Sequence, residues 1–462
     1  MTSNKKRPVR DSMGELEVDE GALYGAQTQR ALNNFPISGA SMPVQFIKAL
    51  LEIKRAAALG NQKLDCLPEE ISSAIDNACL TLLNDPNLTE HFPVDVFQTG
   101  SGTSSNMNVN EVVATLASRA SGLTIKPNDH VNFGQSSNDV IPTAIHVSAV
   151  TAVSRDLLPA IDELISAISL KSDALQGVCK TGRTHLMDAM PVRMDQILNC
   201  WAAQLENARA LISSTLAHLQ YVAIGGTAVG TGINTHRDFS AASTQILSTN
   251  VGLEFFPAKE HFSLIGSQDS AVALSGQLKT LAVALLKISN DLRWMNSGPL
   301  AGLGEISLEP LQPGSSIMPG KVNPVIPEAV AMVAVQVIGN DAAITIAGQS
   351  GNFELNVMLP LIAKNLLESV SLLSNSLPLL SKRAIATFEV NRDNLNAALH
   401  RNPILVTALN PIIGYDKAAE IAKLAYQTNR PIIEVAEEST DLSRKELLSL
   451  LDPQKLTEGG IM

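Results

Sequence analysis

Two apolar seams constrain this chain more than any other feature of its sequence. Val150, Val153, Leu157, Ile161, Leu164 and Ile168 follow one another at steps of three and four, as do Leu278, Leu281, Leu285, Ile288 and Leu292. That spacing puts each set on one face of an α-helix. Further helical runs are predicted near residues 194–221, 328–346 and 359–380. Long helices with an apolar stripe need partner helices to cover it, so a central bundle is expected. Pro159 predicts a kink inside the first seam, and Pro360 a kink or a helix start. Hydrophobic residues make up 45% of the 462, charged residues 17% and aromatics 4%. A large core of closely packed aliphatic helices fits those proportions.

The seams divide the chain. Residues 1–135 are punctuated by Gly, Pro and Asn and carry short helical patterns, one near 46–59. Residues 136–390 hold the long runs. Residues 391–462 form a smaller segment with short helices near 415–425, 431–437 and 443–451, the last opened by a capping box of Ser443 and Glu446. The expectation is a mainly α protein of three domains.

Charge and cysteine content narrow the function. A net charge of −11 argues against nucleic acid, which wants a basic face. Cys66, Cys79, Cys179 and Cys200 lack Cys-x-x-Cys pairing and have apolar neighbours, so they read as reduced core residues. Lys5, Lys6, Arg7 and Arg10 are not followed by an apolar run, and no unbroken apolar stretch of membrane-spanning length stands out. A cytoplasmic protein with no membrane partner is expected.

The chemistry concentrates in residues 314–324, GSSIMPGKVNP. Gly314 and Gly320 give backbone freedom. Pro313, Pro319 and Pro324 prevent one continuous helix. A mobile loop is expected that presents Ser315 and Ser316 beside Lys321 and Asn323. Proton abstraction next to a carboxylate needs a base and groups that hold the developing negative charge. Three other stretches have a related character. Residues 99–111, TGSGTSSNMNVNE, and 135–143, QSSNDVIPT, place short polar side chains ahead of apolar helices, where free N–H groups receive carboxylates. Residues 182–191, GRTHLMDAMP, carry His185, a candidate for acid–base work near neutral pH. No second His or Cys stands at ligand spacing beside it, so no metal is expected.

Together these four stretches resemble the signature regions of the fumarase/aspartase superfamily, in the same order. Residues 25–30, 225–236, 350–356 and 414–420 resemble its class II, iron-independent fumarases, as does Gly320, where aspartases usually carry Ala. The resemblance covers nearly the whole chain. It implies a fumarase/aspartase-like fold and a homotetramer whose central helices form one larger bundle, each site being shared between subunits. It implies reversible hydration of fumarate to L-malate through an aci-carboxylate, as in the tricarboxylic acid cycle, with no cofactor. By the same resemblance Ser315 is the base, Lys321 and Asn323 grip the aci-carboxylate, and His185, oriented by Glu328, activates water. Ser101, Gly102, Thr103, Asn106, Ser136, Ser137, Asn138, Thr184, Ser316 and Val322 complete the dicarboxylate site. A second dicarboxylate site is implied at Lys126, Pro127, Asn128 and Asp129, where the family more often begins with His. Phe133 and Gly134 also depart from the usual polar pair, and residues 325–328, VIPE, read like the aspartase form. Aspartate ammonia-lyase is the alternative activity, and an inactive structural homologue the more remote one.

Overall fold

The computed structural model describes residues 5–460. The fold is mainly α, and every long run anticipated from periodicity is a helix. Leu278, Leu281, Leu285, Ile288 and Leu292 are completely buried along the helix Asp269–Met295. The first seam is buried along Ser137–Ala152 and Leu158–Ala174. Between those two helices lies a π-helical turn, Val153–Leu157. Pro159 lacks an N–H and its ring crowds the carbonyl four residues back, and a wider turn just ahead relieves both conflicts. Pro360 is the second residue of the helix Leu359–Leu380 and so starts it. The helices Met194–Leu219 and Val325–Gly348 complete the long set.

Contacts divide the chain into two units. One comprises Met1–Pro159, Ala208–Ala282 and Ala334–Ser374, the other Ala160–Asn207, Val283–Val333 and Asn375–Met462. In the first unit, polar side chains pin long helices together. Asp341 accepts from Ser275 Oγ at 2.8 Å and from Lys279 Nζ at 2.6 Å. Asn340 Nδ2 donates to Glu368 Oε2 at 3.0 Å and Ser369 Oγ at 3.1 Å. The helix Ala26–Asn34 has no side-chain cap of its own. Its N-terminus is closed by Glu111, whose carboxylate accepts from the backbone N–H groups of Gly25, Gln27 and Thr28.

In the second unit a small core of Leu405, Leu409, Ile421, Val435 and Leu447 holds the C-terminal helices together. The Ser443–Glu446 capping box is present.

The membrane reading gains a detail and the cysteine reading a correction. Helices Asp269–Met295 and Val325–Gly348 are long and apolar enough to cross a membrane by length and mean hydropathy, 1.4 and 1.6, although polar residues interrupt both. Of the four unpaired cysteines only Cys79 is buried, and Cys200 is exposed in the single chain. An apolar neighbour in sequence does not share a helix face, so Trp201 faces the core and Cys200 does not.

Candidate active site

Ser315 lies in the loop expected for it. Its Oγ accepts hydrogen bonds from the backbone N–H groups of Ile317 at 3.2 Å and Met318 at 3.0 Å. The loop is closed at its base by Gly314 N–H to the Lys321 carbonyl, 2.7 Å, and by Asn323 Nδ2 to the Gly314 carbonyl, 2.8 Å. A Cβ on Gly314 would come within 2.7 Å of that Lys321 oxygen, so only glycine allows the closure. Gly320 turns the chain with φ +79°. Lys321, Val322, Asn323 and Glu328 line a cavity of about 740 Å³. Among the described residues Lys321 forms no ion pair. Ser316 is exposed beside Ser315.

His185 occupies the tip of a β-hairpin that sequence reading did not anticipate. Strands Cys179–Thr184 and Met187–Arg193 pair antiparallel, leaving His185 and Leu186 as the two turn residues. Both have positive φ, +55° and +62°, as a type I′ turn demands. Asn and Gly normally serve there, and a histidine and a leucine hold that conformation at a cost of the order of 1 kcal/mol each. Thr184 is the last residue of the first strand and is exposed. Beneath the tip, buried Glu305 accepts from Lys180 Nζ at 2.5 Å and pairs with Arg183 at 2.8 Å. That triad fixes the hairpin root, and burial lowers the Lys180 pKa. His185 lines a cavity of about 690 Å³ with Trp201, Lys287, Asp291 and Trp294. Within one chain no hydrogen bond joins His185 to Glu328 among the described residues.

The third cluster is a neutral polar cradle. Gly102, at φ +72°, turns the chain into the helix Thr103–Ser121. A Cβ there would strike Ile141 at 2.9 Å. Ser101 Oγ and Thr103 Oγ1 are 2.8 Å apart. Ser136 caps the helix Ser137–Ala152, and Asp139 completes a capping box. The same Asp139 carboxylate takes the N–H groups of Gly225 and Thr227, both at 2.9 Å, and Asn138 Nδ2 donates to the Ala228 carbonyl at 2.8 Å. The fumarase-like stretch 225–236 is thereby moored to the cradle. Thr103, Ser136, Ser137 and Asn138 line a cavity of about 440 Å³. Asn106, buried on the Thr103 helix, donates to Ser137 Oγ at 3.0 Å.

At the expected second site, residues Pro127–Val131 form a single π-helical turn. The Lys126 ammonium meets Asp129 at 2.9 Å, and that hydrogen bond lowers the Asp129 pKa. Pro127 and Asn128 belong to the same exposed turn. Its one cation is therefore already matched by a carboxylate.

The expected residues thus fall into three places: Lys321, Asn323 and Glu328 on one cavity, His185 on a second, and the Ser136–Asn138 cradle on a third. Sequence reasoning missed the positive-φ hairpin tip, the Glu305 triad and Lys54, which lies buried behind the cradle. The hairpin had one weak signal, the bulge-prone Gly182. Lys54 had none, because a lysine in a helical pattern reads as a solvated face.

Comparison with known proteins places the chain in a family. A lyase family model matches residues 14–339, and a model of the fumarase C C-terminus matches residues 405–458. "Fumarate hydratase class II 2" of Pseudomonas aeruginosa is 65% identical over 455 residues, covering 98% of this chain and 99% of that protein. "Fumarate hydratase class II" of Xylella fastidiosa is 58% identical over 459 residues, covering 99% and 97%. Among solved structures, recombinant class II fumarase from Schistosoma mansoni superposes with a TM-score of 0.95 at 37% identity, over 98% of this chain and 99% of that one. The chain belongs to the class II fumarate hydratase family.

Proposed function

We propose that this hydro-lyase interconverts L-malate and fumarate with Ser315 as base and His185 at the departing water. In the dehydration direction Ser315 Oγ, ionised, takes the C3 proton of malate. The electron pair left behind moves into the adjacent carboxylate as an aci-carboxylate, held by Lys321 and Asn323. The pair then returns to form the double bond, the C2–O bond breaks, and hydroxide leaves as water with a proton from His185. Hydration is the reverse. One observation carries the reading: two backbone N–H groups already point at Ser315 Oγ. Fixed donors on an oxygen favour its anionic form. The cradle of Ser101, Gly102, Thr103, Asn106, Ser136, Ser137, Asn138 and Thr184 takes the carboxylates through neutral donors, with Ser316 and Val322 beside the base. Loss as ammonia, the aspartase alternative, is not favoured, because the relatives just described carry the name fumarate hydratase.

The same reading has each site assembled from several subunits of a homotetramer. Its support is the helix Val325–Gly348, which is strongly apolar yet only 33% buried along its most apolar stretch. Met332, Val335 and Ile346 stand 68%, 60% and 58% exposed on it. An apolar face that open needs covering, and second copies of the same helix would cover it and bring His185 of one chain to Ser315 of another.

The test is Ser315→Ala, followed by fumarate's ultraviolet absorbance. Turnover should fall by about 10³-fold or more while malate still binds. Turnover within tenfold of wild type removes Ser315 from the role. Neither Ser315→Ala nor His185→Asn homotetramers should turn over, but mixed tetramers should regain activity. No recovery would refute shared sites.

A further inference from the structure

No ionisable side chain lines the cradle cavity, yet a lysine stands directly behind its wall. Lys54, on the helix Val44–Lys63, is completely buried. Its Nζ donates to Asn132 Oδ1 at 3.0 Å and to Gln135 Oε1 at 2.9 Å. Asn132 and Gln135 both line the cavity. An ammonium has donors and no acceptor, so it dictates which way those amides face. Asn132 must turn its oxygen inward. That oxygen then also receives Asn106 Nδ2 at 3.1 Å and Asn110 Nδ2 at 3.2 Å. Asn106 Nδ2 in turn donates to Ser137 Oγ. A hydroxyl that accepts from an amide keeps its own proton for another partner, so Ser137 can donate into the cavity. The direction of the whole network follows from the cation at its root.

Two ionisable groups act on Lys54 from neighbouring helices, Asp139 and Cys79. Asp139 has its oxygens occupied by the backbone N–H groups of Ser136, Gly225 and Thr227, and burial raises its pKa. Burial also pushes the Cys79 thiol far up, so it stays neutral. Lys54 itself hydrogen-bonds only neutral amides, and burial brings its ammonium down to about 7. A dianion arriving on the far side of Asn132 and Gln135 would restore its hold on the proton.

We propose that Lys54 is a positioning residue for the substrate: its ammonium fixes the amides of Asn132 and Gln135, aims the Ser137 hydroxyl, and places a positive charge behind a neutral wall that receives a substrate carboxylate. This rests on the reading of that cavity as a carboxylate site. The probe is succinate, an unreactive dicarboxylate, competing with malate on the assembled enzyme between pH 6 and pH 9. In the wild type the succinate inhibition constant should rise with pH as Lys54 discharges. In Lys54→Met it should be raised about tenfold at pH 6, the size of one lost charge-assisted contact, and that pH step should vanish, while kcat changes much less than KM. Ser137→Ala is measured in parallel. If it leaves the inhibition constant unchanged, the carboxylate reading of the cavity fails. If it weakens succinate while Lys54→Met does not, the role of Lys54 alone fails. A second measurement needs no change at Lys54. Calorimetry of succinate binding at pH 8, in buffers of different ionisation heat, should show net proton uptake that survives in His185→Asn. No uptake, or uptake lost with His185, overturns the proposal.

Discussion

Replacing Glu111 by glutamine should loosen a helix whose first amides lie 83 to 86 residues away in sequence. The Glu111 carboxylate takes four hydrogen bonds: Oε2 from Gly25 N–H at 2.9 Å, Thr28 N–H at 3.1 Å and Thr28 Oγ1 at 2.6 Å, and Oε1 from Gln27 N–H at 2.9 Å. Glutamine keeps one oxygen. Its best orientation serves the three donors on Oε2 and sets an NH2 against the Gln27 N–H. That orphaned, half-buried donor costs about 1–3 kcal/mol. The retained bonds lose their charge assistance, roughly 1 kcal/mol in all after relaxation, and the N-terminal dipole loses its counter-charge, about 0.5 kcal/mol. The sum is about 2.5–4.5 kcal/mol. Hydrogen exchange is the assay with local resolution, since each 1.4 kcal/mol is about tenfold in protection. The amides of Gly25, Gln27 and Thr28 should exchange about 100-fold faster or more in Glu111→Gln, with the midpoint of denaturant unfolding lowered. Unchanged protection at those amides would refute the claim that this one carboxylate closes the helix.

Two further outcomes follow from burial. Between pH about 7 and 10.5 the unfolded chain keeps a proton on Lys54 that the folded chain has released, so raising the pH favours the folded state. The stability of Lys54→Met relative to wild type should therefore increase by about 2 kcal/mol from pH 9 to pH 7, measured by denaturant titration at each pH. Parallel curves would show that Lys54 is not desolvated. Val335→Glu, on the exposed apolar face of the helix Val325–Gly348, should yield dissociated and inactive chains by light scattering and turnover. A fully active monomer would sink the shared-site reading.

Much of the fold was legible because its signals are local. A 3.6-residue period is written in consecutive positions, so the seams through Val150–Ile168 and Leu278–Leu292 appear where steps of three and four place them. Caps are equally local: Ser443 and Glu446, three residues apart, form the box expected of them. The loop at Ser315 could be read from glycines and prolines, which act on their own backbone.

Other features depend on partners distant in sequence. Glu111 caps a helix from 83 to 86 residues away. Lys180 meets Glu305 across 125 residues. Lys54 meets Asn132 and Gln135 across 78 and 81. None of these carries a mark in its neighbours, because a charged side chain in an amphipathic pattern looks solvated until a second element covers it. His185 differs, because its partners are local: its positive φ is imposed by the pairing of the strands on either side of it, not by any preference of histidine. Sequence alone determined which segments are helical and which side chains could do the chemistry. Tertiary structure decided which charges are buried and which donors point at an oxygen, because burial and direction exist only once distant segments are packed together.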